Sequence, residues 1–341
     1  MKSVKTVSVV IPCKNERDYI KKCLDSFVQQ TYAKDLYEVL VCDGMSDDGT
    51  REIITSYNEK YGNIKLLDNN GISAPKGMNL GIRYSRFDVI IIFGAHAYAK
   101  EDFIEQNVRL LNSTDANCTG GPIETINAND KGKSIALAMS SPFGVGNALF
   151  RYAKEEMYVD TVAFGAYEKK VLDKIGYFDE EMTRNQDDEL NYRLKKNGYK
   201  ILLSPKVKSS YYSRSSLKKL WKQYFQYGFW KVRVIQKIGS TPSVRHIVPM
   251  LFVACNILAP ILGIFLKPIL YLWIFELSSY ILLDLIISFK LSKGSINLFR
   301  YLILIFPLLH ISYGLGFVEG IFSFVIFKSK KAVNKNSEIS R

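Results

Sequence analysis

The segment DGMSDDGT at positions 43–50 concentrates carboxylates and glycines in one loop. It follows the apolar run 39–42, so its first carboxylate, Asp43, stands at the end of a predicted strand. A carboxylate there can accept hydrogen bonds from a nucleobase N–H or a ribose hydroxyl, and Gly44 and Gly49 let the backbone approach a ligand. Such a loop is also an ordinary turn in many proteins, so its meaning depends on the segments around it.

Strands and helices alternate around this loop. The predicted order is strand 7–11, helix 16–30, strand 39–42, helix 51–61, strand 65–67 and strand 89–93. This βαβαβ order predicts a mostly parallel sheet with helices on both faces, in which ligands bind beyond the carboxyl ends of the strands. The loops at 12–16, 43–50 and 94–96 are therefore the candidates for the site.

Two common phosphate-binding loops are not supported. A dinucleotide-binding turn would carry GxGxxG after the first strand, whereas this chain has PCKNE at 12–16. The tripeptide GKS at 132–134 is similar to the end of a P-loop, but it lacks the upstream glycine and a preceding strand. Chance explains it better.

The composition changes along the 341 residues, which carry a formal net charge of +13 and five cysteines. Residues 1–240 mix charged and apolar side chains, whereas 247–327 are mostly apolar, which predicts a soluble domain tied to a membrane. No signal-peptide pattern opens the chain, so the N-terminal domain is expected to stay in the cytosol. The cysteines are odd in number and form no CxxC pair, which suits a reducing compartment better than disulfides or a zinc site.

Two apolar segments, 247–266 and 269–289, are long enough to cross a bilayer, which takes about 20 residues. Only Lys267-Pro268 separates them, so they predict a tight hairpin whose basic flanks place both outer ends in the cytosol. The next segment, 301–327, is interrupted by one proline and three glycines and precedes a basic tail at 328–341. A single crossing and a re-entrant or broken pair both remain open for it.

Basic residues alternate with aromatic residues over the juxtamembrane segment 206–240. Leu217, Leu220, Trp221 and Tyr224 fall at helical spacing, which predicts an amphipathic helix on anionic lipid. An ordinary helix packed on the domain is the alternative. Because the patch runs straight into apolar segments, no nucleic-acid partner is expected.

Four motifs in order carry a resemblance to a known family. They are VVIPCKNE at 9–16, DGMSDDGT at 43–50, GYFDE at 176–180 and NQDDELNYR at 185–193. Together they resemble the family 2 inverting glycosyltransferases with the GT-A fold, over about residues 5–230. The segments GGP at 120–122 and SPFGVG at 141–146, with the apolar C-terminal part, are most similar to the succinoglycan-type branch, which builds surface polysaccharides. The resemblance implies an α/β fold with a Rossmann-like mixed sheet as a catalytic domain at 1–205, followed by a membrane domain at 241–327.

The resemblance assigns the catalytic base to Asp187. An inverting transferase needs a base that removes the proton of the acceptor hydroxyl as it attacks the anomeric carbon, and a carboxylate in hydrogen-bond reach can do this. The family's usual acidic predecessor is Gln186 here. Asp188 and Glu189 are otherwise read as solvated charges or helix caps.

The resemblance also implies the residues around the two substrates. A nucleotide-diphosphate sugar would be bordered by Pro12, Glu16, Asp43, Gly44, Lys76, Asn79, Gly94 and Ala95. Gly165, Gln186 and Asp188 are expected at the acceptor site. The segment 223–230 lacks the arginine of the QxxRW element of processive synthases, so one sugar per encounter is expected.

The metal corner departs from the family pattern. The strand at 89–93 would end in Asp-x-Asp or Asp-x-His, whose side chains hold Mn²⁺ or Mg²⁺ on the sugar diphosphate, but this chain has Gly94-Ala95-His96. His96 is retained and the first carboxylate is absent. Three outcomes stay open: a cation held by His96, diphosphate oxygens and water; charge neutralised by cationic side chains; or an impaired enzyme.

The sequence thus predicts a multi-pass transferase of the cell membrane, with a cytoplasmic catalytic domain. It would move a sugar from a nucleotide-sugar donor to a lipid-linked glycan. A polyprenyl-phosphate sugar synthase and a non-catalytic nucleotide-sugar-binding assembly subunit are the alternatives.

Overall fold

The computed structural model describes residues 4–127, 129–212, 216–239 and 243–337, and it divides into two compact units. The sheet unit comprises Met1–Thr125 and Leu149–Tyr212, and the helical unit comprises Ile126–Ala148 and Ser213–Arg341. This division differs from the predicted boundary at 205. Residues 126–148 group with the C-terminal helices because their apolar side chains pack there.

The bounds of the regular elements are as follows. The strands are β1 Val7–Cys13, β2 Tyr37–Asp43, β3 Ile64–Asp68, β4 Val89–Ile92, β5 Ala97–Ala99, β6 Cys118–Gly121, β7 Ile123–Ile126, β8 Met157–Tyr158, β9 Ala163–Glu168, β10 Ile201–Leu203 and β11 Ser209–Tyr212. The helices are α1 Arg17–Val28, α2 Thr50–Lys60, α3 Ala74–Tyr84, α4 Phe103–Ser113, α5 Asp130–Met139, α6 Pro142–Val145, α7 Lys169–Ile175, α8 Gln186–Lys196, α9 Leu217–Ile238, α10 Val248–Phe265, α11 Lys267–Ser292, α12 Ile296–Gly320 and α13 Lys330–Ser337. Short 3₁₀ turns lie at Lys34–Leu36, Leu149–Arg151 and Val244–His246, and a π-helix at Ile321–Ile326.

The main sheet has the strand order β3-β2-β1-β4-β9-β6-β10-β8. β1 pairs in parallel with β2 and β4, and β2 pairs in parallel with β3, as the βαβαβ pattern predicts. β9 lies antiparallel between β4 and β6, so the sheet is mixed, as the GT-A resemblance implies. A second sheet of order β5-β11-β7 completes the unit.

Helices cover both faces of the main sheet. Val9 and Ile11 of β1 belong to one buried cluster with Ile20 of α1, whereas Val10 belongs to another with Ile82 of α3. Successive side chains of a strand point to opposite faces, so this alternation buries β1 on both sides. The carboxyl ends of β1, β2 and β4 are thereby held at one edge of a rigid layer.

Four of the cysteines are buried and the fifth, Cys255, lies in α10. All five are free thiols, four of them buried and Cys255 exposed. Burial raises the pKa of the Cys23 and Cys118 thiols and raises that of Cys42 to about 12. Neutral buried thiols behave as small apolar side chains.

Three helical stretches in the described residues are long and apolar enough to cross a membrane, by length and composition: Val244–Phe265, Lys267–Ser292 and Ile296–Ile326. The first two form the predicted hairpin. In the third stretch, α12 runs through its proline and glycines and continues as the π-helix. The glycines of α12 allow the backbone of neighbouring helices to approach closely. A Cβ on Gly314 would lie 2.3 Å from the Pro249 carbonyl oxygen.

The basic-aromatic segment forms α9, which packs on α12; its predicted contact with anionic lipid stays a prediction. Leu220 and Tyr224 are buried in a cluster with Leu302 and Leu309 of α12. Trp221 is exposed on the other side. α9 is therefore a packed helix that also presents a polar, cationic face.

Candidate functional site

The loops that follow β1 and β2 are joined by hydrogen bonds. The backbone N–H of Asn15 donates to Ser46 Oγ at 2.8 Å, and Asn15 Nδ2 donates to Asp47 Oδ1 at 2.9 Å. The backbone N–H of Glu16 donates to Thr50 Oγ1 at 2.9 Å. The two loops therefore form one surface at the carboxyl edge of the sheet, as the strand order predicts.

Asp43 is fully buried beneath this surface, where it organises the acidic loop. Its Oδ2 accepts hydrogen bonds from the Ser46 backbone N–H at 2.9 Å and from Arg51 Nη1 at 2.8 Å. Arg51 Nη2 also donates to Asp68 Oδ1 at 2.7 Å. The sequence prediction places Asp43 against a base or ribose, but it does not include Arg51. The position of Arg51 directly after the acidic loop could have indicated its contact with Asp43.

Gly44 is required by backbone packing. A Cβ there would lie 2.7 Å from the Ile72 carbonyl oxygen. The turn before α3 therefore fills the space that the prediction reserved for a ligand beside Gly44. On α3 itself, Lys76 is exposed and its aliphatic stem lies against Gly71, while Pro12 lies in β1 opposite Cys42 of β2.

Asn79 makes structural hydrogen bonds, and its predicted place near a diphosphate stays a prediction. It is buried, and its Nδ2 donates to the Phe178 carbonyl at 2.9 Å and to Glu180 Oε1 at 2.9 Å. Its Oδ1 accepts from the Phe178 N–H at 3.0 Å. Because both amide protons and the amide oxygen are engaged, Asn79 anchors the GYFDE segment to α3.

His96 and Glu16 meet where the ends of β1 and β4 converge. His96 Nδ1 lies 3.5 Å from Glu16 Oε1, and the His96 side chain is 44% exposed, against 10% for Glu16. The His96 ring also contacts the Tyr211 ring edge-on, with 5.7 Å between centroids. A carboxylate on one ring nitrogen of a histidine is the arrangement that leaves the other nitrogen available to a cation or a phosphate.

The space beside Gly94 is occupied by Phe164. A Cβ on Gly94 would lie 3.1 Å from Phe164 Cε1, and the Phe164 ring packs on Phe93 with centroids 4.3 Å apart. Phe164 holds φ at 48°, an uncommon conformation for a bulky residue. Ala95 is buried next to it. The side chain of an aspartate at position 94 would therefore press on the Phe164 ring, which would have to shift slightly.

Asp187 lies in the first turn of α8, after Asn185 in left-handed conformation. Its side chain is exposed, whereas Gln186 and Asp188 are partly buried. The helix N-terminus stabilises a carboxylate in its charged form, which is the form a general base needs. Asp187 is thus an exposed carboxylate at the amino-terminal end of α8.

α8 is held in place by an ion pair between two residues of the motif at 185–193. Arg193 Nε and Nη2 bind the two oxygens of Glu189 at 2.6 and 2.8 Å. Arg193 also donates to the carbonyls of Ile175, Gly176 and Tyr177. The last acidic residue and the arginine of NQDDELNYR are therefore positioning groups that join α8 to GYFDE.

Gly165 lies against the ring of Tyr167, and its predicted place at the acceptor site stays a prediction. A Cβ there would lie 2.8 Å from Tyr167 Cε2, so the Tyr167 ring already fills the position. The Tyr167 hydroxyl donates to Asn191 Oδ1 at 3.0 Å. Burial raises the pKa of Tyr167 well above its usual range, and Cys118 and Asp187 raise it further, so the phenol stays neutral near Asp187.

Arg151 was missed by the sequence analysis, because no motif marks an arginine between two aromatic residues. Its guanidinium lies 5.8 Å from the centroid of Tyr211, which in turn contacts His96. Arg151 Nη1 is buried without a hydrogen-bond partner. Buried N–H groups of arginine normally have partners, so this one is suited to an incoming anion.

Protein side chains alone do not form a cation site in the described residues, because no three or more histidine, cysteine, aspartate or glutamate side chains converge there. His96 with Glu16 is the nearest approach to one. The remaining ligands of any cation here would have to come from a substrate or from water.

Residues 8–176 match the family described as Glycosyl transferase family 2. The chain is 36% identical over 239 residues to the dolichyl N-acetyl-alpha-D-glucosaminyl phosphate 3-beta-D-2,3-diacetamido-2,3-dideoxy-beta-D-glucuronosyltransferase of Methanococcus voltae, covering 68% of this chain and 74% of the relative. It is 28% identical over 244 residues to the succinoglycan biosynthesis protein ExoA of Rhizobium meliloti, covering 71% and 74%.

Two solved structures share the fold. The mannosyltransferase PcManGT from Pyrobaculum calidifontis, in complex with GDP-Man and Mn²⁺, gives a TM-score of 0.59 at 15% identity over 94% of this chain and 88% of that one. Residues 1–349 of S. aureus TarS, in complex with UDP-GlcNAc, give a TM-score of 0.53 at 15% identity over 92% of each chain. At this identity the likeness concerns the fold alone, and it agrees with the predicted GT-A architecture.

Proposed function

Because the chain belongs to glycosyl transferase family 2, we propose that it transfers a sugar, with inversion, from a nucleotide-diphosphate donor to a hydroxyl of a lipid-linked glycan. Such a reaction would serve the synthesis of surface polysaccharides or glycoconjugates. The observation that carries the proposal is the exposed carboxylate of Asp187 at the start of α8, on a helix fixed by the Glu189–Arg193 pair. The M. voltae relative, whose name contains a dolichyl-linked sugar phosphate, supports a lipid-borne acceptor.

Asp187 acts as the general base. It accepts the proton of the acceptor hydroxyl while that oxygen forms a bond to the anomeric carbon. The bond from this carbon to the diphosphate oxygen breaks on the opposite face, and its electron pair leaves with the nucleoside diphosphate. Asp187 lies in the first turn of α8, where the helix dipole favours a negative charge.

The donor nucleotide lies on the joined loops at the ends of β1 and β2. Asp43 holds that surface in shape through Ser46 and Arg51. Glu16, Gly94 and Ala95 border the diphosphate, as the family resemblance implies. Arg151 is added to this set, because its buried, unpartnered Nη1 can donate to a phosphate oxygen.

A divalent cation would be held by His96, oriented by Glu16, together with oxygens of the donor diphosphate. Such a cation, when bound, neutralises charge on the leaving diphosphate. PcManGT, which shares the fold, was solved with Mn²⁺. The protein itself orients the imidazole of His96. Phe164 lies beside Gly94, the position at which the family pattern has a metal-binding carboxylate.

The enzyme is anchored in the cell membrane by the α10–α11 hairpin, which crosses it twice. The apolar length of both helices supports this, and the basic residues that flank the hairpin favour a cytoplasmic position for its two outer ends. The sheet unit, which contains no candidate span in its described residues, is then cytoplasmic as well.

The test uses the full chain in nanodiscs with Mn²⁺, a panel of radiolabelled UDP-, GDP- and dTDP-sugars, and two acceptors: a lipid-linked glycan fraction and polyprenyl phosphate. The proposal expects label in the lipid phase and released nucleoside diphosphate with the glycan fraction for one donor. Product with polyprenyl phosphate only would identify a polyprenyl-phosphate sugar synthase. Donor binding with no release from either acceptor would identify a non-catalytic subunit and overturn the proposal.

A further inference from the structure

The third apolar helix, α12, is in close backbone contact with the cationic helix α9. A Cβ on Gly316 would lie 2.0 Å from the Phe225 carbonyl oxygen, and one on Gly320 would lie 2.6 Å from that of Phe229. From the first contact to the second, the residue number rises by four in both helices, so α9 and α12 run in the same direction. Further along, Gln236 Nε2 donates to the Phe324 carbonyl at 3.3 Å. The carboxyl-terminal half of α12 is therefore covered by α9 over several turns.

α9 is too strongly cationic to lie in the hydrocarbon core of a bilayer. Its 22 residues include six cations and no acid: Lys218, Lys219, Lys222, Lys231, Arg233 and Lys237. Lys222 and Lys231 lie within about 8 Å of the helix midpoint along its axis, at 1.5 Å per residue. Cations are costly at the bilayer centre, so α9 does not lie at that depth.

The amino-terminal half of α12 is covered by another polar helix, α5. Ile135, Ala138 and Met139 of α5 pack with Leu302 and Phe306 of α12. α5 itself carries Asp130, Lys131 and Lys133 in its first four residues. A membrane-spanning α12 would thus draw a charged helix into the bilayer along each half of its length.

The segment after α12 is also tied to α9. The Asn336 carbonyl of α13 accepts hydrogen bonds from Trp230 Nε1 at 3.1 Å and from Gln226 Nε2 at 3.0 Å. Asn336 Nδ2 donates to Glu319 Oε1 of α12 at 3.1 Å. The chain therefore turns back after the π-helix, and α13 lies beside α9 and α12.

The α10–α11 hairpin differs in what covers it. In the most apolar stretch of α12, 44% of residues are buried inside the protein, against 17% and 6% for the other two candidate spans. Phe265, Phe275 and Phe289 of the hairpin are 80%, 72% and 71% exposed. Lipid is the partner that these side chains fit, because large exposed apolar surfaces mark membrane contact.

We infer that α12 does not cross the bilayer, and that α5, α9, α12 and α13 form a platform on one membrane face, with the carboxyl end of α13 on the same side as α9. The inference extends the proposed function, which leaves the segment after the hairpin open. It also places the cations of α9 and of the segment 328–337 on one face, in agreement with the positive-inside bias.

The test uses variants of the full chain with one exposed cysteine each, in sealed membrane vesicles: exposed Cys255 is replaced by serine, the four buried cysteines are kept, and the parent with Cys255→Ser alone is the blank for a membrane-impermeant maleimide. The variants Lys218→Cys in α9, Lys267→Cys in the hairpin turn and Lys335→Cys in α13 all replace exposed residues. Lys218→Cys and Lys335→Cys are expected to react from the same side. Reaction of Lys335→Cys only from the side opposite to Lys218→Cys would overturn the inference.

Lys267→Cys separates this inference from the proposed anchoring. Reaction from the side opposite to Lys218→Cys is expected, since the hairpin crosses the membrane. If Lys267→Cys reacts from the same side, the proposed double crossing fails, while the result for Lys335→Cys still decides the inference on α12. A thermal unfolding curve for each variant, compared with the parent, shows that the packing of the helices is intact.

Discussion

Nδ1 of His96 lies 3.5 Å from Oε1 of Glu16, so a residue after β4 and one after β1 share an interaction at the edge of the sheet. We expect His96→Ala to weaken Mn²⁺ binding in the presence of UDP or GDP, and Glu16→Gln to weaken it about 10–100-fold, the usual effect of losing a carboxylate behind a metal-bound histidine. Electron paramagnetic resonance of free Mn²⁺ measures this. Wild-type affinity in both variants would remove His96 from cation binding.

Gly94 and Phe164 give a second prediction about the same corner. Gly94→Asp alone should lower thermal stability, because its Cβ would meet Phe164 at 3.1 Å. Gly94→Asp combined with Phe164→Leu should recover part of that loss. The double variant should also bind Mn²⁺ without nucleotide at least about tenfold more tightly than wild type, a gain of about 1.4 kcal/mol. Equal Mn²⁺ affinity would show that position 94 does not face the cation.

Arg151 is expected to bind the donor diphosphate. Arg151→Gln should weaken UDP or GDP binding by about tenfold or more, since a hydrogen bond to a charged group contributes roughly 1.5–3 kcal/mol. Arg151→Lys should recover only part of the affinity, because it keeps the charge but loses the planar fork. Isothermal titration calorimetry measures both, with exposed Arg109→Gln as the matched control. A loss of affinity no larger than in the control would contradict the assignment.

Asn79 is expected to act on stability. Asn79→Ala leaves the buried N–H of Phe178 without its acceptor, which should lower the free energy of unfolding by about 1–3 kcal/mol. Asn79→Asp should be more destabilising, because its charge would face Glu180. Urea unfolding followed by circular dichroism gives the values, since the three tryptophans of the chain lie outside the sheet unit. If Asn79→Ala leaves the free energy of unfolding unchanged but abolishes nucleotide binding, Asn79 acts in the donor site instead.

Much of the sheet unit follows from local patterns. β-branched runs closed by proline or by acidic turns placed β1, β2 and β4 to within a few residues, and their parallel order follows from the intervening helices. The antiparallel insertion of β9 between β4 and β6 could not be predicted, because it depends on pairing across more than 40 residues of chain.

The site was predictable only where function resides in motif residues. Asp187 and His96 are assigned by motif position, and their roles stay predictions, whereas Asn79 binds Phe178, 99 residues away, which no motif indicates. Gly165 likewise meets a tyrosine two residues along its own strand. Sequence spacing does not reveal which neighbour fills the space beside a glycine or uses the donors of a buried amide, because tertiary packing decides both.

Transfer of radiolabelled sugar into the lipid phase by Asp187→Asn is the measurement closest to the central claim. Asp187→Asn should lower the turnover rate about 10²–10⁴-fold, the usual contribution of a general base, while the donor dissociation constant stays near the wild-type value. Asp35→Asn, an exposed carboxylate in the 3₁₀ turn Lys34–Leu36, is the matched control and should retain wild-type turnover. Wild-type turnover by Asp187→Asn, with the donor bound normally, would show that another group accepts the proton.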